Sequence, residues 1–211
     1  MKKLANTASI QTASKYWIVK GNRNNPDRDG DIVTQMIEAI QDIADYQKKR
    51  RSNAPEKNIW SQLGKPIDPL PSKGDCVLAW RARQRIGIVG IGRMIDPGEF
   101  DYFHSEHCFE WEPIQCWSPL RGSKQPDNQF ITLEEIRSAL SVLPENEQCP
   151  TFTQPCVIQT VYPVTVKQAW VLKSLIEKKV KAPSLTPATK KLLGLLEPPH
   201  RPLSEHAIRN T

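Results

Sequence analysis

The chain has 211 residues, 38% of them hydrophobic, with 18 prolines and a net charge of +6. That length supports one domain with a sizeable core, and no apolar run approaches the length of a membrane-spanning helix. Five cysteines without a Cys-x-x-Cys pair argue for reduced thiols rather than a disulfide framework, and the basic balance makes a polyanion a candidate partner.

Residues 1–14 are polar and read as a flexible leader. Met1-Lys-Lys-Leu begins like a secretory signal, but Ala5 to Lys15 lacks the apolar stretch such a signal needs, so a cytoplasmic protein is expected. Tyr16-Trp-Ile-Val-Lys20 is a strand, with Trp17 and Val19 on one face and Tyr16 and Ile18 on the other. A turn-rich run, Gly21 to Gly30, leads to a helix carrying Ile32, Val33, Met36, Ile37, Ile40, Ile43 and Ala44 on one face, capped by Asp29 or Asp31. Its basic end, Lys48-Lys-Arg-Arg51, reads either as a solvated last turn or as a phosphate contact. Asn58-Ile-Trp-Ser61 is a short strand, followed by a proline-rich loop.

Two apolar runs, Cys76 to Trp80 and Ile86 to Ile95, flank Arg81, Arg83 and Arg85 and read as a hairpin at the centre of a small barrel. Gly87, Gly90 and Gly92 mark places where that second strand bends or another group comes close. Gly98 to His107 reads as an aromatic-rich loop, Phe109 to Ile114 and Cys116-Trp117 as a strand, and Leu120 to Gln129 as polar linker. Thr132-Leu-Glu-Glu135 is a capping box opening a helix through Leu143. Thr160 to Val164 is an edge-like last strand because of Pro163, and Thr165 caps a helix to about Lys179. The expected organisation is a leader (1–14), one domain (15–181) and a tail (182–211), packed or mobile. The expected fold class is α/β (α+β), a twisted, mostly closed β-barrel covered by amphipathic helices.

Several chemical readings weaken on inspection. Asn25 to Ile32 places Asp27, Asp29, Gly30 and Ile32 at calcium-loop positions, but Met36 stands where a bidentate Glu is required. His104-Ser-Glu-His107-Cys108 with Cys116 offers one zinc-like cluster where structural sites use two knuckles. There is no nucleophile elbow, and the Gly87 to Gly92 run lies inside a strand rather than before a helix. No catalytic residue, metal or cofactor is therefore expected. A pattern of aromatics and basics stands out instead: Trp17, Trp60, Trp80, Phe100, Tyr102 and Phe103 at strand edges and loops, with Arg81, Arg83, Arg85 and Arg93 around the hairpin as phosphate contacts. Trp17 and Trp111, inside apolar strands, read as core, whereas Trp60, in Asn58-Ile-Trp-Ser61 ahead of a proline-rich loop, reads as a pocket wall.

The order Tyr16-Trp-Ile-Val-Lys-Gly-Asn22, helix, Ile59-Trp-Ser61, then Gly74-Asp-Cys-Val-Leu-Ala-Trp-Arg81 and Gly87-Ile-Val-Gly-Ile-Gly92 resembles the EVE domain, a PUA-like fold related to the YTH readers of methylated adenine. Thr160-Val-Tyr-Pro-Val-Thr165 is similar to that family's closing segment, and the likeness covers about Tyr16 to Lys179. The resemblance implies a small closed barrel whose aromatic pocket takes a modified base, methylated or hydroxymethylated, from DNA or RNA. It also implies a companion nuclease or NTPase acting in trans. By position, Trp60 would be one cage wall with Ser61 at the base edge. Lys20, Gly21 and Asn22 would close the pocket, and the second wall would come from Phe100, Tyr102 or Phe103. The reading set against this non-catalytic module is a nucleic-acid-processing hydrolase on the same barrel, with a protein-interaction module as a third.

Overall fold

The computed structural model describes residues 15–20, 32–49, 59–63, 67, 69–81, 86–118, 130–148, 150–153, 161–180 and 184–194, with backbone alone at 42–49, 60–63 and 151. Among these lie eight strands: β1 (Tyr16–Lys20), β2 (Ile59–Leu63), β3 (Cys76–Arg81), β4 (Gly87–Asp96), β5 (Phe100–Asp101), β6 (Glu106–Cys116), β7 (Ile131–Thr132) and β8 (Val161–Val164). Five helices accompany them: α1 (Ile32–Lys49), α2 (Leu133–Leu140), α3 (Glu145–Gln148), α4 (Val166–Lys179) and α5 (Pro187–Gly194).

The strands form one sheet in the order β2-β6-β4-β3-β1-β8, with β5 added to β6 and β7 to β4. Only β1 and β3 run parallel; the other pairs are antiparallel. Irregularities at Ala79/Trp80, Ile91/Gly92 and Met94/Asp96 add local twist. The result is a mixed α+β fold on a curled half-barrel. The closed barrel expected from sequence is thus found in a coarser form. Among the described residues the path ends at β2 and β8, with no pairing between them.

Alternation along the strands builds two cores. Trp17, Val19, Val77, Ala79, Val89, Phe109 and Trp111 face one way and pack with Ile32, Val33 and Met36 of α1. Tyr16, Ile18, Cys76, Leu78, Trp80 and Ile88 face the other, under Ile136 and Leu140 of α2, Leu172 and Ile176 of α4, and Leu192 and Leu193 of α5. Both faces of β1, β3 and the start of β4 are covered, which is why their sequences read as continuous apolar runs rather than alternating ones. Fully burying each such large side chain contributes roughly 1.5–3 kcal/mol. At Gly90 and Gly92 this packing leaves no room for a side chain. A Cβ would stand 2.5 Å from the Met36 methyl and 2.6 Å from the Trp111 ring, respectively.

Thr132 and Thr165 form the two capping boxes, each with reciprocal bonds to Glu135 and Gln168. Helix α2 stops at Leu140 rather than Leu143, with Ser141 as its C-cap. The aromatic-rich segment is no plain loop. Phe100–Asp101 pairs with the start of β6, and Glu106–Cys116 is one continuous strand that carries Pro113 opposite Gly92. Pro163 lies on β8, at the end of the sheet path, as its missing N–H requires. Within the expected tail, α5 is fastened down: the Tyr16 hydroxyl donates to the Leu192 carbonyl at 3.0 Å, and Gln115 on β6 bonds Ser184, Thr186 and Thr189.

Candidate functional site

The parallel pair β1–β3 carries Lys20 and Arg81 at its carboxyl end. Lys20 stands opposite Trp80 in register, and Arg81 follows Trp80 in sequence. Both cations are buried, at 9% and 7% of their surface exposed. Lys20 shares its strand face with Tyr16 and Ile18, so its ammonium reaches over the Tyr162 ring at 4.8 Å and the Trp80 ring at 5.6 Å. Phe152 completes the ring cluster, edge-on to Trp80 at 5.9 Å and to Tyr162 at 6.5 Å. Burial pushes the Tyr162 hydroxyl up to about 12, so it stays a neutral donor and acceptor. A desolvated cation over aromatic faces is held by roughly 2 kcal/mol, against about 0.5–1 kcal/mol at an exposed site. Taking an ammonium and a guanidinium out of water is costly, so a fold that does it has placed them deliberately or compensated them locally.

A second constellation lies at the β5–β6 turn. Tyr102 and Phe103 are 84% and 89% exposed. Their rings are nonetheless held, Tyr102 edge-on to Phe100 at 4.9 Å and Phe103 edge-on to His104 at 4.8 Å. The Asp101 carboxylate shapes the turn by accepting from the Phe103 and His104 amides and pairing with His104 Nδ1 at 2.6 Å. His104 is thereby raised above its ordinary pKa, chiefly by that side-chain bond, and Asp101 is lowered by the same bond. Nearby, His107 is buried. Its Nδ1 accepts from the Ile67 amide and its Nε2–H donates to the Pro97 carbonyl. Both ring nitrogens are thus engaged in the fold, which gives His107 a structural role.

The expected pocket residues fall into separate places. Lys20 belongs to the β1–β3–β8 end, at the level of Ile88 on β4 through Trp80. Phe100 is opposite His107 on β6, three residues beyond Glu110, which pairs with Asp96 at the other end of β4. Eight residue steps along β4, about 26 Å, separate those levels. Trp60 and Ser61 are on β2, opposite Glu110 and Phe109. Their side chains, together with Gly21, Asn22, Arg83 and Arg85, lie outside the described residues. Of the expected phosphate contacts, Arg81 is buried, and Arg93 is half-exposed and paired with Glu112 at 2.6 Å. Trp17 and Trp111 are fully buried, as expected of core. Trp17 also donates its indole N–H to Asp75, which closes the turn before β3. The sequence reading missed Phe152 and Tyr162 as neighbours of Lys20. Tyr162 was visible in the Thr160-Val-Tyr-Pro strand, but its partner strand is set by long-range pairing.

No family model matches the chain, and no curated protein matches it. Among solved structures, it is similar to a hypothetical protein from Leishmania major at 13% identity and a TM-score of 0.45, covering 80% of this chain and 98% of that one. A Pseudomonas syringae protein is similar at 16% identity and a TM-score of 0.42, with 76% and 99% covered. A Rhodopseudomonas palustris protein is similar at 16% identity and a TM-score of 0.39, with 88% and 97% covered.

Proposed function

We propose that the chain is a non-catalytic nucleic-acid-binding module on a PUA-like barrel, one that accepts a modified base into a pocket at the carboxyl end of β1 and β3. The observation that carries the reading is the buried Lys20 there, set over Trp80 and Tyr162. A base turned out of its stack costs a few kcal/mol to extract. A fixed cation there can recover part of that through charge-assisted hydrogen bonds to the base edge or its phosphate. The family resemblance also assigns Lys20 to the pocket. Gly21 and Asn22, which follow Lys20 in sequence, stay in the proposal as the remaining pocket members, and Arg83 and Arg85 as phosphate contacts.

A hydrolase needs an enclosed acid–base set. The Asp101–His104 pair has the right chemistry, but its side chains are 47% and 63% exposed at a hairpin tip, with no wall to exclude water.

The test is fluorescence anisotropy with oligonucleotides carrying methylated or hydroxymethylated bases beside unmodified ones, on wild type, Lys20→Met and Arg81→Met. Each substitution keeps an apolar stem and removes the charge. The expected result is a preference for one modified strand that falls by roughly tenfold or more in each variant, since truncating a buried charged partner costs at least about 2 kcal/mol. Variants that melt like wild type and keep the full preference would refute the assignment.

A further inference from the structure

The β5–β6 tip is organised for a partner of a different kind. Residues 94–112 carry six carboxylates, Asp96, Glu99, Asp101, Glu106, Glu110 and Glu112, and no lysine or arginine. All 29 basic residues lie outside this segment, against the other 17 acids, so the rest of the chain stands at +12 and this hairpin at −6. At its apex Tyr102 and Phe103 present their rings to solvent at 84% and 89% exposure. They are not loose. Each ring has an edge contact, with Phe100 or His104, and the Asp101 bonds to two turn amides hold the backbone beneath them. Preorganised aromatics of this kind add affinity because little side-chain freedom is left to lose.

Charge selects the occupant. Phosphates approaching this tip would meet like charge, which disfavours base stacking on Tyr102 and Phe103. A guanidinium or ammonium gains twice, from the ring faces and from the carboxylates around them. We infer that the β5–β6 tip is a docking surface for an arginine- or lysine-rich polypeptide segment of a partner protein, with Tyr102 and Phe103 as anchors and Glu99, Asp101 and Glu106 as the acidic surround. This surface is independent of the proposed base pocket. The chain would then engage nucleic acid at one end of its sheet and a basic protein at the other.

The experiment uses the full chain and a fluorescein-labelled peptide alternating arginine with glycine and serine. An acidic peptide of equal length and a single-stranded oligonucleotide serve as comparisons. Tyr102→Ser/Phe103→Ser removes both rings and keeps every carboxylate. Because both residues are exposed, it should fold and melt like wild type. The arginine peptide should bind the wild type in preference to the acidic one, and the double variant should bind it roughly tenfold more weakly, the combined effect of two cation–ring contacts. Oligonucleotide affinity should be unchanged. Equal peptide binding by variant and wild type would overturn the proposal. So would a loss confined to the oligonucleotide, which would make the tip a nucleic-acid wedge. Wild-type self-association that the variant abolishes would assign the tip to a second copy of this chain instead.

Discussion

Two regions of this molecule combine aromatic rings with charge, and they do so in opposite senses. At the end of β1 and β3 the charge is positive and buried, with Lys20 over Trp80 and Tyr162, and Arg81 next in sequence to Trp80. At the β5–β6 tip the rings are outside and the surrounding charge is negative. Burial turns the first into a site where each charge matters greatly, because solvent cannot screen it. Exposure turns the second into a surface whose individual contacts are weak and whose effect comes from their number and rigidity. The lesson is that aromatic residues interleaved with charge do not by themselves define a nucleic-acid pocket; sign and depth decide.

The largest expected effect separates the two regions by stability. Trp80→Ala removes a ring at 2% exposure and should cost roughly 3–5 kcal/mol, lowering the melting temperature by about 6–20 °C. Tyr102→Ala, at 84% exposure, should stay within about 0.5 kcal/mol of wild type. Calorimetry on both variants would break the comparison if the tip variant were the less stable.

Next comes charge removal. Lys20→Met leaves the stem packed on the rings, so the melt should move far less than for Trp80→Ala while modified-base preference is lost. A variant that keeps both would show Lys20 to be ordinary packing.

The acid–base pair at the tip gives a smaller, pH-resolved effect. His104 is raised, so its share of turn stability is present below the ordinary histidine value of 6.5 and fades as pH climbs through its raised folded value. Asp101 is lowered, so its share is present above the ordinary value of 3.8 and fades as pH falls through its lowered folded value. The pair is thus charged between those two folded values. An NMR titration should find the His104 ring titrating above 6.5 and dropping in Asp101→Asn. No movement in that variant would leave the pair without its assigned role.

The smallest effect concerns the partly exposed Arg93–Glu112 bridge. Glu112→Gln should change stability by about 0.2–1 kcal/mol. Freeing Arg93 should also raise non-specific oligonucleotide binding slightly at low salt. A larger loss on melting would mean that β4 and β6 depend on this pair.

Much of the frame was legible in the sequence because the signals are local. Strand β1 and the β3–β4 hairpin show as β-branched runs, and Thr132 and Thr165 announce their helices through caps four residues long. The three glycines of β4 marked close approaches before Met36 and Trp111 were known to fill them. What escaped was set by pairing between distant segments. Pro113 and the polar residues around it broke the pattern of β6, yet Gly92 opposite accommodates the proline in one strand. Helix α3 is four residues with no apolar face, positioned by Glu147 bonding Thr165 and Lys167 at the start of α4. For the site, sequence pointed to Lys20 but grouped it with Phe100 and Tyr102. Only register shows that these occupy different levels of the sheet. Arg81 counted as a surface cation because it opens an arginine-rich turn, whereas its strand position buries it.

The most direct test of the account follows amide and indole signals of the full chain by NMR as an oligonucleotide bearing the preferred modified base is added. The account predicts shifts concentrated at Lys20, the Trp80 indole, Arg81 and Tyr162, with Tyr102 and Phe103 unmoved. Shifts concentrated at the β5–β6 tip, with the Lys20 end silent, would contradict it.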